Sequence, residues 1–401
     1  MSQALEGSQA IAHAVALCRP QVVAAYPITP QTHIVERIAT LVADGKLHCE
    51  LVSVESEFSA ASVVLGAACA GSRAYTASAS QGILLMSEVL FNISGLRVPL
   101  VLTCANRAVS APLSIWNDQQ DSMAVRDAGW IQLYCADNQD AVDTTIQAFR
   151  IAEYCELPVM VCVDGFTLTH TLESLELPTQ EAVDGFLPPY HFARTINPLA
   201  PLSMGTLVAP EYFTEARHMH HTALLGAEQE IVAAARDWAM MCGREQAPLL
   251  RVDGPPQARI GILTLGSVFG TLLDARDQFP GPPVKLMHLR CFRPFPVAAL
   301  RAACAGLTDL IVLERAIAPG ADGIVGAEIR SALTDMDKPP RVHNFAAGLG
   351  GRDVPLAIYP RLLEAITKPH PRMSAIDLRP ELLPIHSQTG RETTPDVTDT
   401  A

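Results

Sequence analysis

Four short segments of this 401-residue chain set a reactive side chain in a turn that would hold it still. Tyr26-Pro27-Ile28-Thr29-Pro30 places a threonine hydroxyl between two prolines, as a substrate-positioning group needs. The same residues also read as a strand-to-helix turn in which Thr29 or Thr32 caps the next helix. Ser53-Val54-Glu55-Ser56-Glu57 carries two carboxylates ahead of an Ala/Gly-rich helix. Small side chains let such a helix approach its neighbours, so a glutamate in its first turn can be buried and share a proton with a ring nitrogen. The plainer use is a carboxylate stabilised by the helix macrodipole. Strand alternation does not choose between Glu55 and Glu57; nearness to the helix start favours Glu57. The run from Thr76 through Ser80-Gln81-Gly82 passes from strand to Ser/Gly loop to helix and could cradle an anion on backbone N–H groups. It matches neither GxGxxG nor a P-loop. Asn106-Arg107-Ala108 sets a guanidinium where it can grip a carboxylate or, equally, pair on the surface with Asp118 or Asp121.

These turns need a frame. Residues 22–26, 51–54, 73–77, 98–104, 131–134 and 158–163 read as strands, and 35–43, 58–70, 83–94 and 139–152 as helices between them. Strand–helix alternation predicts a parallel sheet covered on both faces, with its ligand site outside the carboxyl ends of the strands. That is where the segments above fall. Residues 1–170 therefore form a first α/β domain. A connecting arm spans 171–256, with a helix near 228–241. A second α/β domain over 257–370 has strands at 260–265, 284–289, 310–313 and 342–345. The remaining tail, 371–401, is polar and Thr-rich beyond residue 384.

Composition excludes whole classes. The net charge is −13, and no run of Lys or Arg offers a nucleic-acid footprint. With 49% hydrophobic and 18% charged residues, the chain can fill a large core and keep apolar surface for subunit contacts. No stretch reaches the roughly 18–20 apolar residues of a membrane span, and the N-terminus lacks a basic n-region. The ten cysteines stand singly with no CxxC, which reads as reduced thiols in a cytoplasmic protein with no iron–sulfur or zinc knuckle of its own. His218, His220 and His221 follow Glu215 at a spacing that could place two metal ligands on one helical turn, but a solvated helix is the better reading. Gly261, Gly266 and Gly270 do not make a dinucleotide fingerprint, which leaves little weight for a nicotinamide-dependent dehydrogenase.

Taken together, Tyr26–Pro30, Ser56-Glu57, Ala79-Ser80-Gln81-Gly82, Asn106-Arg107-Ala108 with Ser114-Ile115-Trp116-Asn117-Asp118, and Asp164-Gly165-Phe166 with His170 carry a family pattern. They resemble the pyrimidine-binding domain of 2-oxoacid:ferredoxin oxidoreductases, in the order of the α subunit of the pyruvate-type, multi-subunit enzymes. Arg293-Pro294-Phe295-Pro296, Glu314-Arg315 and the run Gly348 to Asp353 are similar to that family's transketolase-C-terminal-like domain. The implied fold is a thiamine-diphosphate pyrimidine-binding α/β domain with a parallel sheet, followed by that second α/β domain.

The resemblance implies oxidative decarboxylation of a 2-oxoacid to acyl-CoA and CO2, with electrons leaving through iron–sulfur clusters to ferredoxin or NAD. It assigns Glu57 to the thiamine aminopyrimidine ring, Thr29 and Arg107 to the 2-oxoacid, and Ser80, Gln81 and Gly82 to the cofactor. No metal site is assigned to this chain. It has no Gly-Asp-Gly for magnesium and diphosphate, since Asp164-Gly165 and Asp253-Gly254 lack the preceding glycine. The implied partners are a β subunit holding Mg2+ and the diphosphate, γ- and δ-type subunits holding [4Fe-4S] clusters, and in some assemblies a flavin subunit. The implied assembly is a dimer of heteromers with coenzyme A as co-substrate. The 2-oxoglutarate-type members show Ser-Gly-Pro-Gly where this chain has Ser80-Gln81-Gly82, and the oxalate-type members carry Arg at the position of Thr29. Pyruvate is the default substrate, with phenylglyoxylate or a branched-chain 2-oxoacid as alternatives. A non-catalytic scaffold subunit is the reading from a different class.

Overall fold

The computed structural model describes residues 2–384; the Thr-rich end of the expected tail lies outside the described residues. The chain opens with β1 (Ser2–Glu6) and α1 (Gly7–Leu17). It then alternates β2 (Val22–Ala25), α2 (Thr32–Ala43), β3 (Glu50–Ser53), α3 (Glu57–Cys69), β4 (Ala74–Ser78), α4 (Gln81–Leu85), α5 (Ser87–Gly95) and β5 (Val101–Asn106). Next come α6 (Gln120–Ala124), β6 (Ile131–Tyr134), α7 (Asn138–Cys155), β7 (Val159–Asp164) and β8 (Leu172–Glu176), the last returning antiparallel to β1.

Six of these strands lie parallel in the order β3-β2-β4-β5-β7-β6. Their alternation divides the core. Val159, Val161 and Val163 of β7 face a cluster shared with α1, α2 and α7, while Met160 and Cys162 face a cluster shared with α3 and α5. Burial on both faces is what a parallel sheet requires of its strands. Helix α3 begins where Ser56, in extended conformation, accepts the Ser59 N–H at 3.2 Å. Its buried residues Ala60, Ala61, Val64 and Ala68 let it lie close on the sheet.

The connecting region holds α8 (Gln180–Phe186) and the 33-residue α9 (Pro210–Cys242), much longer than the helix expected near 228–241. Residues 210–219 are exposed, so that end of α9 has no buried face to imprint a helical period on the sequence. Beyond it come β9 (Leu250–Asp253), β10 (Ile260–Thr264), β11 (Val284–Leu289), β12 (Cys291–Arg293), β13 (Asp309–Glu314), β14 (Arg341–Ala346) and β15 (Met373–Ala375). A second sheet runs β15-β14-β13-β10-β11-β9, parallel except for β9. It takes in Leu250–Asp253 from the region read as arm and Met373–Ala375 from the region read as tail. Strand β12 leaves this unit and pairs antiparallel with β6 as the seventh strand of the first sheet. Leu263, Leu289 and Val312 then share one apolar cluster with Leu102 and Met160, so the two units pack as one body.

Candidate active site

In the first sheet the chain runs from β2 to β3 on one side, then crosses back to β4 on the other side of β2. That reversal opens a crevice at the carboxyl ends of β2 and β4, where doubly wound sheets bind ligands. The loop after β2 carries Thr29, and the loop after β4 carries Ser80 and Gln81. Register brings the rest in. Ala25 pairs with Ser53, so Thr29 and Glu57 each stand four residues past paired positions. Ser78 pairs with Cys104, so Gln81 and Arg107 each stand three past.

Glu57 is buried, 7% exposed, and its carboxylate makes no hydrogen bond or ion pair among the described residues. It rests against Gly82: a Cβ built there would lie 2.7 Å from Glu57 Oε1 and 2.3 Å from Ser78 Oγ. Ser78 Oγ and Gln81 Nε2 are buried and also without partners. A carboxylate and a hydroxyl thus meet unpaired over a residue that must be glycine, and the residue before it carries an unpaired amide N–H2. Buried polar groups ordinarily find partners, so the arrangement has the chemistry to receive a nitrogen-bearing ring. Glu55, by contrast, is exposed and accepts the Ser59 hydroxyl.

Arg107 is not on the surface. It is 7% exposed, donating through Nη1 to the Thr29 carbonyl at 3.0 Å and through Nε to the Ser114 carbonyl at 3.0 Å. The guanidinium therefore fixes the loop that carries Thr29, and its Nη2 is left without a protein partner among the described residues. Burial lowers its pKa from the ordinary value, opposed by the charge of Asp121. Thr29 itself is exposed at the crevice, ahead of a cis Thr29–Pro30 peptide.

The surface pairing of Arg107 with Asp121 does not form. Asp121 is fully buried and accepts instead from backbone: Arg107 N at 2.9 Å, Ser80 N at 2.8 Å and Ser122 N at 2.8 Å, with Asn106 Nδ2 also at 2.8 Å. Burial raises its pKa, opposed by these hydrogen bonds. This carboxylate ties the ends of β4 and β5 together, a role the sequence does not show because its partners are brought together only by the sheet. Ser80 is held at φ 52° with its hydroxyl on the Ala108 carbonyl, so both its N–H and its O–H are taken up within the protein.

The second unit braces this edge. Arg315 donates to the carbonyls of Asn117 (3.5 Å) and Gly348 (3.2 Å) and lies 3.5 Å from Asp164. Gln119 N donates to the Arg315 carbonyl at 2.7 Å, and Gly351 N to the Asn117 carbonyl at 2.6 Å. Asp164 accepts from Ser267 N at 2.8 Å, Ser267 Oγ at 2.6 Å and Gln119 Nε2 at 3.2 Å. Large apolar side chains close in sequence to the site residues are exposed: Tyr26, Phe58, Leu85, Leu113, Ile115 and Trp116. Cavities of about 530 and 540 Å³ lie elsewhere, with none of Thr29, Glu57, Gln81 or Arg107 in their linings. On α9, His220 is buried and faces the Gly129 carbonyl at 3.3 Å, while Glu215, His218 and His221 are exposed and form no ligand set with it. Among the described residues no helix is long and apolar enough to cross a membrane.

Residues 13–236 match the family described as pyruvate flavodoxin/ferredoxin oxidoreductase, thiamine diphosphate-binding, and residues 258–357 match pyruvate:ferredoxin oxidoreductase core domain II. The chain is 42% identical over 370 residues to pyruvate synthase subunit PorA of Methanosarcina barkeri, covering 91% of this chain and 92% of that one. It is 36% identical to ketoisovalerate oxidoreductase subunit VorA of Pyrococcus abyssi, covering 92% and 94%. Among solved structures, a 2-oxoglutarate:ferredoxin oxidoreductase from Magnetococcus marinus shares the fold. Its TM-score is 0.68 at 22% identity, covering 91% of this chain and 65% of that chain. The unpaired carboxylate at the strand crossover, the α/β architecture and these matches agree: the chain belongs to the thiamine-diphosphate-binding pyruvate flavodoxin/ferredoxin oxidoreductase family of 2-oxoacid oxidoreductases.

Proposed function

We propose that this chain is the α-type subunit of a pyruvate:ferredoxin oxidoreductase, contributing the pyrimidine-binding half of an active site for CoA-dependent oxidative decarboxylation of pyruvate. The observation that carries this reading is the Glu57 carboxylate, buried and unpartnered against Gly82 with Ser78 Oγ at the same glycine. When bound, thiamine diphosphate supplies the nucleophilic carbon and the electron sink for losing CO2. Glu57 would share a proton with a nitrogen of the cofactor's pyrimidine ring. Gln81 Nε2 and Ser78 Oγ would hydrogen-bond the ring's polar edge, and Gly82 leaves room for the ring to approach. Ser80 acts through position, keeping Gln81 and Arg107 in register via Ala108 and Asp121.

Arg107 Nη2 would take the carboxylate of the 2-oxoacid, and the Thr29 hydroxyl, on the loop Arg107 anchors, would orient the same substrate. The exposed apolar rim around these residues supports a site completed by a second subunit, which would carry the diphosphate and Mg2+. Further subunits would carry the [4Fe-4S] clusters that pass electrons to ferredoxin or NAD. Pyruvate is preferred over a branched-chain acid because identity is higher to the pyruvate synthase subunits than to the ketoisovalerate one. The test is CoA-dependent reduction of ferredoxin by the native complex containing this chain, with pyruvate, 2-oxoisovalerate, phenylglyoxylate and 2-oxoglutarate. The highest kcat/KM is expected with pyruvate; a higher value with another acid would reassign the substrate.

A further inference from the structure

Behind the Phe166 ring lies a second group of side chains, apart from the Thr29, Glu57, Gln81 and Arg107 set. Glu6 at the end of β1, His33 in the first turn of α2 and His170 in the loop after β7 come together from three separate elements. One ligand atom from each lies within 4.8 Å of the others. Glu6 Oε1 is 2.7 Å from His33 Nδ1, and the imidazoles of His33 and His170 lie 4.5 Å apart, centre to centre. We propose that Glu6, His33 and His170 form a binding site for one divalent transition-metal ion of the zinc class, with a fourth position open to water.

The donor set fits that ion. Two imidazoles and one carboxylate are a common open zinc set, with metal–ligand bonds of about 2.0–2.2 Å. Closing the present spacing onto such an ion takes side-chain movements on the order of 1 Å. Hard cations such as Mg2+ and Ca2+ prefer all-oxygen shells and are disfavoured by the imidazoles. His170 Nδ1 is engaged with Thr169 Oγ1 at 2.7 Å, which leaves Nε2 as its free ring nitrogen. A ligating histidine is ordinarily fixed in this way through its other nitrogen. Among the described residues no lysine or arginine pairs with Glu6; its one ionic partner is His33. The plainer alternative is a half-exposed Glu–His hydrogen bond beside a His170 ring packed on Phe166, and it predicts no stoichiometric metal binding.

The position has a consequence. Rings follow one another from the cluster to the rim of the candidate active site: His33 to His170 at 4.5 Å, His170 to Phe166 at 4.7 Å and Phe166 to Trp116 at 4.5 Å. A bound ion would pin the 164–170 loop to α2, and with it the ring that supports Trp116.

The test is calorimetric titration of the chelator-treated full-length chain with Zn2+, paralleled by Co2+ and followed by visible absorption. One equivalent should bind, with the d–d bands of a four-coordinate nitrogen/oxygen cobalt site. His170→Ala and His33→Ala should each weaken binding by at least on the order of 100-fold, while His218→Ala should leave it unchanged. Mg2+ should not compete. Absence of a one-equivalent site, or binding that survives both His33→Ala and His170→Ala, would overturn the proposal.

Discussion

Glycine at position 82 decides how Glu57 is held. A methyl group there would meet Glu57 Oε1 at 2.7 Å and Ser78 Oγ at 2.3 Å, so both polar groups must move aside. Gly82→Ala should cost about 1–3 kcal/mol in stability from overpacking and lower activity of the assembled complex far more than it lowers assembly. Thermal melts and turnover of the variant complex check this together. Asp118 offers a pH test. Burial pushes its carboxyl up to about 6 against hydrogen bonds from Gly350 N (3.1 Å) and Gln120 N (3.0 Å). The ordinary value is about 3.9, so between the two the folded chain keeps a proton that the unfolded chain has released. That stability is fully present below the lower value and is lost as pH rises through the upper one. Its size is roughly 3 kcal/mol. Asp118→Asn should remove that slope from the pH dependence of urea midpoints for the full chain; an unchanged slope would place the titration elsewhere.

At the scale of elements, residues 114–121 depend on the second unit to keep their shape over Arg107. Gly351 sits at φ 81°, and a Cβ there would lie 2.2 Å from Trp116 Cβ. Gly351→Ala therefore combines a strained backbone with a clash and should destabilise the chain by several kcal/mol. It should also release the Asn117–Gly351 contact, seen as faster amide exchange over residues 114–118. Unchanged exchange there would mean that the brace is dispensable. The sequence revealed the turns but not this brace. Strand ends and loop residues such as Thr29, Glu57 and Arg107 are local signals, readable from a run ending in a turn. Asp121, Asp164 and Arg315 work by meeting partners up to 198 positions away, as Arg315 and Asn117 do, and no local pattern announces that. For the same reason the segment after the expected strand 284–289 was not legible as a strand of the other unit's sheet.

On the scale of the whole molecule, the parallel α/β architecture was readable because both units bury apolar runs between turns at short, regular spacing. The extended helix α9 was not, because its first turns bury nothing in the chain. An exposed rim predicts a spectroscopic change on assembly. Of the three tryptophans, Trp130 and Trp238 are buried, while Trp116 is 51% exposed. Acrylamide should therefore quench one tryptophan in the isolated chain, and that quenching should disappear in the complex. Quenching retained on assembly would place the partner interface on another face. The central claim is that Glu57 of this chain does chemistry in a shared site. Its most direct test is release of CO2 from carboxyl-labelled pyruvate by the reconstituted complex carrying Glu57→Gln. The account predicts intact assembly and bound cofactor, with CO2 release reduced on the order of 10³-fold or more. Normal CO2 release from that variant would contradict it.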